Sequence, residues 1–319
     1  AVAVPLLGFL SVMLYKGDYR SFFSIFGRWG GLAVALILLA VMGPFGGIPR
    51  CAALSFAACK SLLPGLTAPI FCSLFCVAVF LSAFRENNII SLLGKWLTPI
   101  LLAALALQLF VGLQGNSARI ETGVDVSQPL LKGLFEGYYT LDLIAALFFS
   151  SFMYPYLKKY FAVNKQKSFG VLALQVALVA GGLLSAVYIG FFAVAVNHSA
   201  VLQDCPKELL LVQVSQHLLG NFASVVGALL VTFACLTTSI ALAAIVADFV
   251  RQDLLRNRLS YEAVLAGMLL VAFFVAVQEF TGIEALLGPV VFFLYPFLIV
   301  LCIYNCIRAF LPKTAVEGL

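Results

Sequence analysis

The chain has 319 residues, of which 63% are hydrophobic and only 10% charged, with a formal net charge of +5. A soluble globule runs near half apolar and a quarter charged, so this composition cannot clothe a water-soluble fold and gives no support to a nucleic-acid partner. The mean hydropathy of +1.09 comes from long apolar blocks, which read as membrane-spanning helices in an all-α polytopic bundle.

Nine blocks follow in chain order, at roughly 1–15, 31–49, 66–84, 97–114, 130–157, 169–196, 217–250, 262–278 and 285–310. They predict one transmembrane transporter domain over 1–319 with nine helices. The first block reaches about 22 Å at about 1.5 Å per residue, short of a hydrocarbon core of about 30 Å. It lacks the initiating Met and basic flank of a signal peptide. The expectation is that the sequence starts inside a helix and that residues upstream are missing.

The second block ends in Ala40–Ser55, AVMGPFGGIPRCAALS. Gly43-Pro44, Gly46-Gly47 and Pro49 there break or kink a helix. A gate, or a passage for close helix contact, is one reading. A simple helix end with Arg50 snorkelling to the interface is the other, and is slightly favoured.

The fifth block, LKGLFEGYYTLDLIAALFFSSFMYPYLKK over Leu131–Lys159, carries two acids, Glu136 and Asp142, around Gly137-Tyr138-Tyr139-Thr140. An ionisable group inside a membrane is costly and marks function by default. A Gly-interrupted span suggests a discontinuous helix whose freed backbone groups bind substrate or ion. Thr140 as N-cap with Asp142 in the first turn would equally satisfy orphan N–H groups and the helix dipole. Capping and direct function stand at even odds for Asp142. Glu136 reads as a solvated interfacial carboxylate.

Further along, Gln114–Ser127 and Asn197–Gln216 read as ordinary loops, with a short surface helix as an option over Leu209–Gln216, and His198 and His217 read as solvated or interfacial. The seventh block contains Phe233–Ser239, FACLTTS. Thr237, Thr238 and Ser239 offer hydroxyls to a hard cation such as Na⁺, but Ser and Thr also bond back to their own helix, and that reading weighs more on sequence alone. The eight cysteines, with Cys72/Cys76 and Cys302/Cys306 one helical turn apart within apolar blocks, read as small packing residues.

Loop charge sets orientation. Alternate connections carry fourteen of the nineteen Lys and Arg residues: Lys16, Arg20 and Arg28; Arg85 and Lys95; Lys158, Lys159, Lys165 and Lys167; Arg251, Arg256 and Arg258; Arg308 and Lys313. The others hold Arg50, Lys60, Arg119, Lys132 and Lys207. The first set is expected on the cytoplasmic side, and with it the C-terminus.

These segments resemble the branched-chain amino acid:cation symporter family of bacteria. Its Gly-Pro-Phe…Ile-Pro-Arg signature is matched by Gly43, Pro44, Phe45, Ile48, Pro49 and Arg50. Its Glu-Gly-Tyr-x-Thr-Met-Asp signature, continuing Ala-Leu-Ala-Ala-Leu, is matched by Glu136, Gly137, Tyr138, Thr140, Asp142, Ala145, Ala146 and Leu147. Cys235, Leu236, Thr237 and Thr238 match Cys-Leu-Thr-Thr, and Leu294, Tyr295 and Pro296 match Leu-Tyr-Pro. Leu141 departs from the usual Met, and Ala57 stands where an acid is common.

The family is similar to LeuT-type five-plus-five inverted-repeat transporters. The resemblance implies that the first helix of that framework is absent and that residues 130–157 are its broken sixth helix. It further implies cation (Na⁺ or H⁺)-coupled uptake of leucine, isoleucine or valine across the bacterial inner membrane, with no cofactor beyond a possible bound Na⁺. Gly137, Tyr138, Tyr139, Thr140 and Asp142 would hold substrate. Thr237, Thr238 and Ser239 would form half of a sodium site. The alternatives are a LeuT-type carrier for another amino acid, a channel, or an intramembrane enzyme. The chain shows neither the repeated polar ring that a channel needs nor clustered acids and histidines at one interface.

Overall fold

The computed structural model describes residues 2–60, 62–84, 98–114, 127–138, 140–163, 168–202, 205–219 and 221–310. These residues are overwhelmingly helical and include no strand. We number the principal helices α1 Ala3–Leu14, α2 Gly27–Met42, α3 Gly47–Lys60, α4 Ala68–Ala83, α5 Thr98–Gln114, α6 Ser127–Tyr138, α7 Asp142–Val163, α8 Phe169–Asn197, α9 Leu210–Leu219, α10 Asn221–Phe249, α11 Tyr261–Ala276 and α12 Glu279–Phe310. Five runs among the described residues are long and apolar enough to cross a membrane: Ser24–Lys60, Leu131–Val163, Phe169–Asn197, Val225–Leu254 and Glu279–Ala309. Four shorter apolar helices accompany them, and the nine together fall on the nine predicted blocks. The protein is an all-α, multi-pass membrane protein.

The chain gathers into two compact units, each built from segments distant in sequence. Unit 1 comprises Ala1–Leu39, Asp125–Ser185 and Leu286–Leu319; unit 2 comprises Ala40–Val124 and Ala186–Ala285.

In unit 1, α1 lies along α7. Gly8 makes that approach close: a Cβ there would sit 2.7 Å from Leu143 Cδ1. A buried amide ties α12 to the segment after α1. Asn305 Nδ2 donates to the Phe22 carbonyl (3.0 Å), and the Tyr15 hydroxyl donates to Asn305 Oδ1 (3.0 Å). A buried polar side chain in an apolar setting needs such partners, because each unmade bond costs about 1–3 kcal/mol.

In unit 2, α3 and α10 form the most extensive packed pair, flanked by α4, α9 and α11. The Gly43–Pro49 stretch breaks the helix, as expected, but the break is at once an end and a start: α2 stops at Met42 and the chain re-enters helix at Gly47, so that Ile48, Pro49 and Arg50 open α3. Ile48, Ala52 and Ala53 are buried, and Arg50 caps the face of Phe280 at 5.0 Å. Pro is tolerated in a first turn because its missing N–H would have had no partner there. The helix end of the favoured reading is there at Met42, and Gly47 besides passes close to Leu242 of α10, where a Cβ would stand 2.8 Å from Leu242 Cδ1.

Two further corrections concern the segment before α10. His198 is fully buried, not solvated, and its Nε2 lies 3.0 Å from the Gly112 carbonyl. Its ring stands 5.9 Å from that of His217, which is exposed. The predicted surface helix is α9, but it turns Val212 and Val214 inward at 3% and 5% exposure, so it is half-buried.

Candidate functional site: a cavity at a helix break

The fifth predicted block is two helices. α6 ends at Tyr138, and α7 begins at Asp142. Between them Leu141 takes φ +61°, a left-handed conformation that costs an L-residue about 1–2 kcal/mol. Such outliers persist where the surroundings over-determine them, often at functional sites. Leu141 is anchored by burial and by its N–H, which donates to the Tyr138 carbonyl at 3.3 Å.

The break falls one to two residues later than its sequence expectation. Gly137 was expected in the interruption but lies within the last turn of α6. Thr140 was expected to cap the second helix. Instead its Oγ1 donates to the Gly137 carbonyl at 2.9 Å, satisfying the end of the first. Asp142 does sit in the first turn of α7. Tyr139 lies outside the described residues.

A cavity of ≈ 210 Å³ opens at this break, lined by Val4 and Pro5 of α1, Gly137 and Tyr138 of α6, Thr140, Asp142 and Leu143, and Tyr295 and Ile299 of α12. All belong to unit 1. Four of the five predicted substrate residues therefore share one cavity. Its aromatic wall is ordered by ring contacts. Tyr138 stacks on Tyr295 at 5.2 Å, Phe135 meets the edge of Tyr138 at 6.0 Å, and Phe135 packs on Phe292 at 5.6 Å.

The chemistry follows from the ends of the two helices. The Gly137 and Tyr138 carbonyls at the end of α6 each accept one bond, from Thr140 Oγ1 and the Leu141 N–H, and each keeps a second lone pair, while the first N–H groups of α7 have no intrahelical partners. One end carries partial negative charge and the other partial positive charge. Together they complement a ligand bearing both an ammonium and a carboxylate, while Val4, Pro5, Leu143 and Ile299 supply an apolar wall. Tyr295, Val4 and Pro5 were not among the predicted site residues. The Tyr295-Pro296 pair was a usable signal, since Pro inside a helix removes a hydrogen bond. Nothing local marks Val4 or Pro5.

The three predicted cation ligands are consecutive residues of α10. α10 is continuous through them, and successive helical residues point about 100° apart. Thr237 and Thr238 both donate to the Ala234 carbonyl, at 2.8 and 2.9 Å. Ser239, the next residue, is fully buried, whereas Thr238 is exposed. The back-bonding that weighed more at the sequence level is what Thr237 and Thr238 do.

The sequence profile described as "Branched-chain amino acid transport protein" matches residues 1–317. The chain is 29% identical to the branched-chain amino acid permease BrnQ of Bacillus subtilis, over 99% of this chain and 73% of the relative. It is 27% identical to the BrnQ permease of Corynebacterium glutamicum, over 98% of this chain and 72% of that protein. It is also 27% identical to the branched-chain amino acid transport system 2 carrier protein of Pseudomonas aeruginosa, over 94% and 69% of the two chains. No solved structure matches the chain significantly.

Proposed function

The chain belongs to the family of branched-chain amino acid transport proteins and is a transporter, not an enzyme, and we propose that it carries leucine, isoleucine or valine in symport with Na⁺ or H⁺. The observation that carries the substrate reading is the α6–α7 break, whose two opposed helix ends line one cavity with Gly137, Tyr138, Thr140 and Asp142. The last carbonyls of α6 accept the substrate ammonium, and the first N–H groups of α7 donate to its carboxylate. The branched side chain lies against Val4, Leu143 and Ile299. A broken helix exposes unpaired backbone groups only where protein or water surrounds them, and a cavity meets that condition. Residues 1–319 act as one transporter domain of LeuT-type repeat architecture in a bacterial inner membrane, with the C-terminus cytoplasmic, as the loop charges favour.

Uptake of labelled leucine into proteoliposomes of the full-length protein, with sodium and proton gradients imposed separately, tests this. Leucine accumulation driven by one gradient is expected. Equilibration without accumulation would remove symport. If Na⁺ is the coupling ion and binds at Thr237 and Thr238, Thr237→Ala or Thr238→Ala raises the sodium concentration for half-maximal uptake about tenfold, the equivalent of one lost ligand interaction of about 1.4 kcal/mol. Unchanged sodium dependence in both variants moves the ion elsewhere.

Asp142→Asn separates the two readings of that acid. Asn caps a helix about as well as Asp, so a purely capping role leaves uptake within about twofold of wild type. We expect collapse at unchanged protein level instead, because Asp142 lines the cavity and its charge contributes to the balance around the substrate ammonium.

A further inference from the structure

We propose that unit 2 carries a second binding site for a zwitterionic amino acid with an apolar side chain, in the ≈ 290 Å³ cavity lined by Lys60, Glu208, Glu279, Phe56, Phe280 and Thr281. The proposal rests on the transport reading for its choice of ligand. The site itself is made only of unit 2 residues.

Its chemistry is amphoteric. Lys60 extends from the last turn of α3 over the ring of Phe56, Nζ at 5.2 Å from the centroid. Neither Glu208 nor Glu279 forms a salt bridge with it, whereas the neighbouring Lys207 and Glu284 do pair with each other, at 3.5 Å. Lys60 and the two carboxylates thus meet at one cavity without neutralising one another. Glu279 opens α12 with φ +61°, so Phe280 and Thr281 lie in a first turn whose N–H groups have no intrahelical acceptor. Between the charged groups lie Ala53 and Ala57, small enough to leave space, and the rings of Phe56 and Phe280. Arg50 stands over the Phe280 ring at 5.0 Å.

A carboxylate is met by Lys60 Nζ, the Thr281 hydroxyl and the α12 N-terminus. An ammonium is met by Glu208 and Glu279. An aliphatic side chain is met by two rings and two alanines. A simple anion would leave two carboxylates facing it, and a simple cation would face Lys60. Only a ligand bearing both charges and an apolar arm uses every wall. The cavity lies at the connections Lys60, Lys207 and Gln278–Glu284, the poorly basic set expected outside, where such a site would collect substrate before transport.

The test is equilibrium binding of labelled leucine to the purified full-length protein, read as moles bound per chain. Wild type should saturate at about two. Lys60→Met combined with Glu208→Gln should saturate at about one, with the remaining affinity unchanged, and Ala57→Trp, which fills the space, should do the same. Gly137→Leu should leave only the unit 2 site. A wild-type stoichiometry of one that Gly137→Leu abolishes overturns this proposal and leaves the unit 1 reading standing. A stoichiometry of one that only the Lys60 and Ala57 variants abolish does the reverse. Two sites surviving in both unit 2 variants, or no saturable binding at all, overturns it.

Discussion

Gly47→Ala is expected to destabilise the protein by about 3 kcal/mol or more, against a helix-propensity change that favours it. In an open helical position, Gly to Ala stabilises by about 1 kcal/mol. At Gly47 the added Cβ would overlap the Met42 carbonyl oxygen and stand 2.8 Å from Leu242 Cδ1. Leu242 is a side chain and can yield. Met42 O is backbone at the end of α2, and moving it means moving the α2–α3 junction. Overpacking of this kind costs about 1–3 kcal/mol and sometimes more, and here it strains the α3–α10 pair at the centre of unit 2. Gly267→Ala is the control. It lies within α11 and a Cβ there meets nothing within 4 Å. Protein recovered by size exclusion after graded heating should show a lowered midpoint for Gly47→Ala and a midpoint at or above wild type for Gly267→Ala. Equal midpoints in the two variants would contradict the packing described.

The apolar blocks were legible because a bilayer imposes a length on them, and their edges at Thr98, Phe169 and Tyr261 agree with the helices to within a residue or two. The break in the fifth block was legible from Gly137 and Thr140, but its position was not. A glycine in a helix costs only about 1 kcal/mol, less than interrupting a turn that Tyr138 and Phe135 fasten to α12 through Tyr295 and Phe292. The residue that does turn the chain, Leu141, has no propensity for its left-handed conformation, and only its tertiary surroundings hold it there. His198 was misread for the same reason, since its burial depends on a carbonyl 86 positions away. The back-bonding of Thr237 and Thr238 was legible in the sequence, because a hydroxyl in an apolar helix has the carbonyls of its own preceding turn within reach.

If substrate occupies the cavity at the α6–α7 break, a side chain added at Gly137 should exclude it. Gly137 is helical and lines the cavity, so replacing it with Leu raises helix propensity by about 1 kcal/mol while placing a branched side chain where the substrate's would go. Function and stability should therefore move in opposite directions, which general misfolding cannot imitate. The direct measurement is initial-rate uptake of labelled leucine by Gly137→Leu and wild-type proteoliposomes at matched protein content. The expected result is at least about a hundredfold loss of uptake, equivalent to about 2.7 kcal/mol of lost binding, with a heating midpoint no lower than wild type. Uptake within about twofold of wild type in this variant would place the substrate elsewhere and contradict the assignment.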